Sequence, residues 1–327
     1  DEIYTRMATD SLPHWKALSD KAGLPLFHRT GVLFLFQKEE PYARDSIAVH
    51  RKLGLPLDVL DREQLRARYS QIALDDIAFG LFEAEFGALM ARRAVQTLVD
   101  RFVRAGGTYR QARIVAPDPA ARLEGLRTAD GELLRASRFV FACGPWLPRF
   151  LPDVLGERIF PTRQEVFFFA PPGGERRFAP DRLPGWADFN GGDLYYGFPD
   201  LEARGFKIAH DTHGPPIDPD TGDRIASADG LARIRAYLAR RFPLLAEAPL
   251  VETRVCQYEN SANGDFLIDR HPSWDNAVLV GGGSGHGFKH GPEVGRYAAA
   301  LALGRLAAQE PRFSLASKGT RQNRSVH

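Results

Sequence analysis

The chain has 327 residues, 44% of them hydrophobic and 26% charged, so it can bury a sizeable core and form two domains. Its formal net charge is +2 with no long run of Lys or Arg, which excludes the electrostatic footprint of a binder of nucleic acid or anionic membrane. Cys143 and Cys256 are the only cysteines and no apolar stretch approaches the roughly 20 residues of a membrane span, so disulfide frameworks, Cys-rich zinc sites and membrane-spanning helices are excluded.

In chain order, residues 10–22 read as a helix capped by Asp10 or Ser11, with Pro13 in its first turn, Leu12, Trp15 and Leu18 on one face and Gly23 as its stop. Thr30-Gly31 introduces a strand over 32–36. Helical patterns follow at 41–53 and 62–69, the second carrying Asp61 and Gln64 at capping-box spacing. A helix over 91–105 bears a stripe of Ala94, Val95, Leu98, Val99 and Phe102, expected to be buried. Asp130-Gly131 signals a two-residue hairpin, and the apolar run 139–143 before Gly144-Pro145 reads as a central strand. Strands over 164–170, 193–198, 205–211 and 250–258 suit a mostly antiparallel sheet, interrupted by a helix at 229–242. The alternation predicts a mixed α/β fold: a layer from 75–150 and 265–308, with an antiparallel sheet domain inserted between.

An apolar run at 277–280 leads into Gly281-Gly-Gly-Ser-Gly-His-Gly-Phe-Lys289 and then a helix over 294–303. Such a loop is a tight turn or an anion cradle at a positive helix end, and His286 and Lys289 favour a site because no turn requires them. The other residues with chemical potential have plain readings too. Cys256 alone reads as a small core residue, Lys207 as a solvated strand position and Arg163 as half of a structural ion pair. Lysine is scarce, however, since only Lys16, Lys21, Lys38, Lys52, Lys207, Lys289 and Lys318 occur.

Cys256-Gln-Tyr258, Asp265-Phe-Leu-Ile-Asp-Arg-His-Pro272 and Ser284-Gly-His-Gly-Phe-Lys289 occur in one order at close spacing. Phe27-His-Arg-Thr-Gly31, Pro161-Thr-Arg-Gln164, Tyr195-Tyr-Gly-Phe-Pro199, Phe206-Lys207 and Ile217-Asp-Pro-Asp220 accompany them. This ordered set resembles the monomeric sarcosine oxidase family, which includes N-methyltryptophan and pipecolate oxidases, within the D-amino-acid-oxidase-like flavoproteins.

The resemblance implies an FAD enzyme that oxidises a secondary amino acid, N-methyl or cyclic, by hydride transfer to flavin. Imine hydrolysis and reduction of O2 to hydrogen peroxide follow. The expected partners are therefore a small secondary amino acid and O2, with neither nucleic acid nor membrane, and the expected state is a cytoplasmic monomer. By resemblance, Cys256 carries FAD through a thioether, Lys207 promotes oxygen reduction and Lys289 pairs with the substrate carboxylate. Gly283, Gly285, His286, Gly287 and Phe288 border the cofactor, and Tyr196 closes the substrate cavity. The family commonly has a His shortly after the strand lysine; Asp211 stands at the aligned position here, which leaves His210 as a candidate for that role.

The implied domains are a Rossmann-like FAD-binding domain from 1–30, 75–150 and 265–308, and a substrate domain from 31–74 and 151–264. A polar tail is expected over 309–327. The family's G-x-G-x-x-G turn, which holds the FAD pyrophosphate, occurs nowhere in the sequence, so the FAD domain is expected to be N-terminally incomplete. Two other readings stay open: a dehydrogenase that passes electrons to another acceptor, and a truncated product that binds no FAD.

Overall fold

The computed structural model describes residues 1–118 and 121–319. Its first helix, Glu2–Ala22, starts earlier than predicted: Asp1 is the cap, its side chain accepting from Ile3 N, and Gly23 at φ 71° is the stop. Ile3, Tyr4 and Met7 pack on an apolar cluster around Phe266 and Ile268, while Ser11 and Trp15 are buried. These positions recur every three to four residues, a stripe that polar neighbours obscure in the sequence. Pro13 therefore lies inside the helix and Asp10 caps nothing. The Arg62–Arg68 helix has the expected capping box of Asp61 and Gln64.

Eight strands form the main sheet, in the order 250–261, 159–169, 206–210, 195–198, 185–188, 32–36, 79–83, 58–61. Every pairing in it is antiparallel except that of Val32–Phe36 with Gly185–Asp188. One face carries Leu33, Leu35, Phe167, Trp186, Phe206 and Ile208, which are buried together with Ile234, Tyr237 and Leu238 of the Ala228–Arg241 helix. Arg241, 1% exposed, joins that helix to the sheet: its Nε lies 2.8 Å from Asp188 Oδ2 and its Nη1 2.6 Å from Asp76 Oδ1. The hydroxyl of Tyr237 donates to Asp188 as well, at 2.6 Å. The opposite face of the sheet is left for other work.

A second sheet pairs Ala277–Gly281 in parallel with Phe139–Phe141 and antiparallel with Leu267–Arg270. It joins the two sequence segments assigned to one layer, but Phe139–Phe141 is an edge strand among the described residues, with Val140 50% exposed, rather than a central one. The hairpin between Gly125–Arg127 and Leu133–Arg135 turns through Asp130-Gly131, with Gly131 at φ 94°, but Thr128 N donates to Glu132 O, so its loop has three residues, 129–131, rather than the expected two.

Three other expectations change. The Phe79–Glu83 strand belongs to the main sheet, between 32–36 and 58–61, so the segment from 75 does not begin the FAD layer. The stripe on the Ala91–Arg104 helix is largely exposed, with Val95 at 49%, Leu98 at 46% and Phe102 at 55%; only Ala94 is buried. Periodicity reports that a face is apolar, not that anything covers it. Finally, residues 309–319 are no solvated tail, because Phe313 and Lys318 are buried and Arg312 pairs with Asp265 at 2.6 Å. Residues 320–327 of that expected tail lie outside the described residues. Among the described residues no helix is long and apolar enough to cross a membrane.

Candidate active site

Side chains alternate along a strand, so register decides which residues share the open face of the main sheet. Tyr196 pairs with Ala209 and Phe198 with Lys207; Lys207 pairs with Phe168 and Ala209 with Val166. Phe168, Val166, Gln164 and Thr162 in turn pair with Glu252, Arg254, Cys256 and Tyr258. Tyr196, Phe198, Lys207, Cys256 and Tyr258 therefore stand on one face, although they come from three separate stretches of sequence. The hydroxyls of Tyr196 and Tyr258 lie 3.2 Å apart, and Lys207 Nζ sits 4.9 Å from the Phe198 ring centroid and 5.5 Å from that of Tyr196. Cys256 packs beside Val166, Phe168, Ala209 and Tyr196.

His210 is turned away from this group. It pairs with Tyr195 on the opposite face, stacks on that ring at 4.6 Å, and bonds to Asp193 and Arg233. The same alternation that brings Lys207 and Ala209 to the open face directs His210 to the other. Asp211 and His213, just beyond the strand, border the cavity instead.

The glycine loop faces the sheet across Tyr258. Gly285 has φ 80°, and a Cβ there would lie 2.4 Å from a Tyr258 ring carbon; one on Gly287 would come within 3.0 Å of Gly283 Cα. Only glycines allow this approach. His286 stacks on Phe266 at 5.3 Å and its Nε2 lies 3.2 Å from Gly264 O, so the loop holds it in place. Phe288 stacks on Trp15 at 5.4 Å, and Trp15 Nε1 donates to Lys289 O at 2.8 Å, which ties the loop to the first helix. Lys289 Nζ donates to His286 O at 3.3 Å.

Sheet, loop and first helix enclose a cavity of about 740 Å³ bordered by Tyr4, Trp15, Tyr196, Phe198, His286 and Lys289, among others. The structure thus brings Tyr196, His286 and Lys289 to the cavity, and sets Lys207 and Cys256 on the same sheet face beside Tyr196.

Burial shifts the ionisable groups. It lowers Lys207 to about 8, and raises the phenols of Tyr196 and Tyr258 far above their ordinary range. Under the glycine loop, burial pushes Glu259 up to about 7, although the backbone N–H groups of Gly282 and Gly283 favour its carboxylate. Sequence reasoning did not single out Tyr258 or Glu259 as functional. The period of two counted from Cys256 would have found the first, while the second depends on a loop contact that no local pattern encodes.

A thiol, a lysine of lowered pKa and two phenols on one sheet face, beside a cavity that a glycine-rich loop borders, are a donor set that fits the ring of a flavin. Comparison with known proteins agrees. The family described as DAO, FAD dependent oxidoreductase, matches residues 1–301. Monomeric sarcosine oxidase of Bacillus sp. (strain B-0618) is 29% identical over 308 residues, 92% of this chain and 77% of that protein. N-methyl-L-tryptophan oxidase of Citrobacter koseri is 28% identical over 312 residues, 94% and 81% of the two chains. Among solved structures, L-proline dehydrogenase from P. horikoshii superposes with a TM-score of 0.82 at 18% identity, covering 98% of this chain and 85% of that one. On this match and this fold, the chain belongs to the DAO family of FAD-dependent oxidoreductases.

Proposed function

We propose that the protein is an oxidase of secondary amino acids, N-methyl or cyclic, that uses O2 as its acceptor. The observation that carries this reading is the gathering of Tyr196, Lys207, Cys256 and Tyr258 on one sheet face opposite the loop that bears Lys289. When bound, FAD supplies a two-electron acceptor that O2 restores. Lys289 pairs with the substrate carboxylate, a charge-assisted hydrogen bond of about 1.5–3 kcal/mol. Tyr196 and Tyr258, kept as phenols by burial, wall the amine and hold it with hydrogen bonds. The substrate loses a hydride from the carbon beside nitrogen and a proton from nitrogen, and water hydrolyses the resulting imine.

Lys207 serves the oxygen half. Its ammonium stabilises negative charge as O2 takes up electrons and relays protons toward hydrogen peroxide, an interaction strengthened by its desolvated position. Cys256 would hold the cofactor through a thioether to the flavin 8α carbon, a bond whose formation would release two electrons and two protons to O2. The glycine loop, with Gly283, Gly285 and Gly287, would admit the ring close to backbone, and His286 and Phe288 brace the loop.

The test is the visible spectrum of the FAD-loaded protein during anaerobic addition of sarcosine, N-methyltryptophan and pipecolate, followed by admission of air. Bleaching by at least one amine and rapid recovery in air are expected. No bleaching by any of them overturns the reading, and bleaching without recovery makes the protein a dehydrogenase. Flavin should remain with the acid-precipitated protein and be released from Cys256→Ser.

A further inference from the structure

The cavity does not stop at Tyr196. On the same face of the sheet, Tyr196 is followed in register by Ala187, Phe34 and Leu81, and Phe198 by Gly185, Val32 and Glu83; all of these residues border the cavity. Ala187 lies between Tyr196 and Phe34 in this register, and a longer side chain there would project into the cavity it borders.

Beyond it, the Pro41–Leu53 helix covers the cavity and contributes His50. His50 Nε2 lies 2.8 Å from Glu83 Oε1, with the two side chains 8% and 17% exposed. Its Nδ1 lies 2.8 Å from Ser46 O, which can only accept, so Nδ1 carries a proton. Nε2 faces a carboxylate and carries one too. The pair is thus an imidazolium beside a carboxylate; Nε2 meets Glu83 Oε1 without hydrogen-bond alignment, so its N–H stays available to a ligand, and the nearby Glu83 carboxylate holds His50 above the ordinary imidazole range.

We infer that this end of the cavity is the subsite for the substrate's side chain, and that it selects a long side chain with an apolar stem and a neutral amide at its tip. The inference rests on the proposed amino-acid oxidation. Phe34, Leu57 and Leu81 provide an apolar passage for the stem. Three strand spacings, roughly 14 Å, separate the Tyr196 strand from the Phe79–Glu83 strand that bears Glu83, so a short side chain does not reach the pair. An amide both accepts from the imidazolium and donates to the carboxylate. A carboxylate tip is repelled by Glu83 and an ammonium tip by His50, whereas a purely apolar tip leaves the buried pair without replacement for the water it displaces.

Steady-state rates on the FAD-loaded protein with sarcosine, Nα-methylnorleucine and Nα-methyl-Nε-acetyllysine test this. A kcat/KM at least tenfold higher for the acetyllysine derivative than for the norleucine derivative is expected, carried by KM. His50→Leu should abolish that ratio. Ala187→Met, which narrows the passage without touching the pair, should lower the ratio of either long substrate to sarcosine at least tenfold. Equal KM for the two long substrates, or ratios that Ala187→Met does not move, would overturn the subsite. If none of the three amines reduces the flavin, the failure belongs to the proposed function instead.

Discussion

Lys207 shows how a single residue takes its chemistry from its surroundings. An ordinary lysine stays charged to pH 10, but burial lowers this one to about 8. The charged form proposed to assist oxygen is present below that value and lost above it. Reoxidation of the reduced enzyme should therefore slow as pH rises through about 8, and Lys207→Met should be slow and indifferent to pH while its flavin is reduced at a near-normal rate. Stopped-flow mixing with oxygenated buffer separates the two half-reactions; unchanged reoxidation in the variant removes the role. Scarcity and spacing made Lys207 legible in the sequence. His210 misled because its neighbours in sequence point the right way while its own position in the alternation points to the other face.

At the scale of the element, the glycine loop is a piece of backbone pressed against an aromatic ring. Gly285→Ala combines a φ of 80° with a Cβ 2.4 Å from Tyr258, whereas Gly304→Ala has φ 68° with nothing within 4 Å. The second should cost about 1–2 kcal/mol of left-handed strain alone. The first should cost more and displace Tyr258, with loss of flavin affinity. Urea unfolding and flavin fluorescence titration measure the two effects, and equal costs for both variants would mean that the contact yields without penalty. The loop was readable from composition because Gly285, at φ 80° against Tyr258, leaves no room for a side chain. What it packs against was not, since Gly285 and Tyr258 meet through the fold.

For the whole molecule, the division of labour between the two faces of the main sheet matters most. One face is sealed by the Ala228–Arg241 helix and the buried Asp76–Arg241–Asp188 group, and the other stays open for chemistry. Arg241→Met should destabilise the protein by about 3–5 kcal/mol, because it leaves Asp188 buried without its cation; adding Asp188→Asn should recover part of that loss. Denaturant midpoints check this, and a single variant as stable as the parent would show that water replaces the guanidinium. The fold class and most strands were legible from alternation and turn residues. The buried ion group, the membership of Phe79–Glu83 and the packing of Phe313 were not, because each depends on residues far apart in the chain.

The single parallel seam has a consequence for how the chain reaches this state. Leu33 meets Trp186 there, so the N-terminal and C-terminal portions of the sheet can join only after a long loop closes, whereas the strands from 185 to 210 meet through short connections. Local hairpins form ahead of distant pairings because they sacrifice less chain entropy. The platform that bears Tyr196 and Lys207 can therefore assemble early, and the passage across Ala187 exists only once the seam has closed. Acquisition of a complete cavity is in this sense the last act of folding.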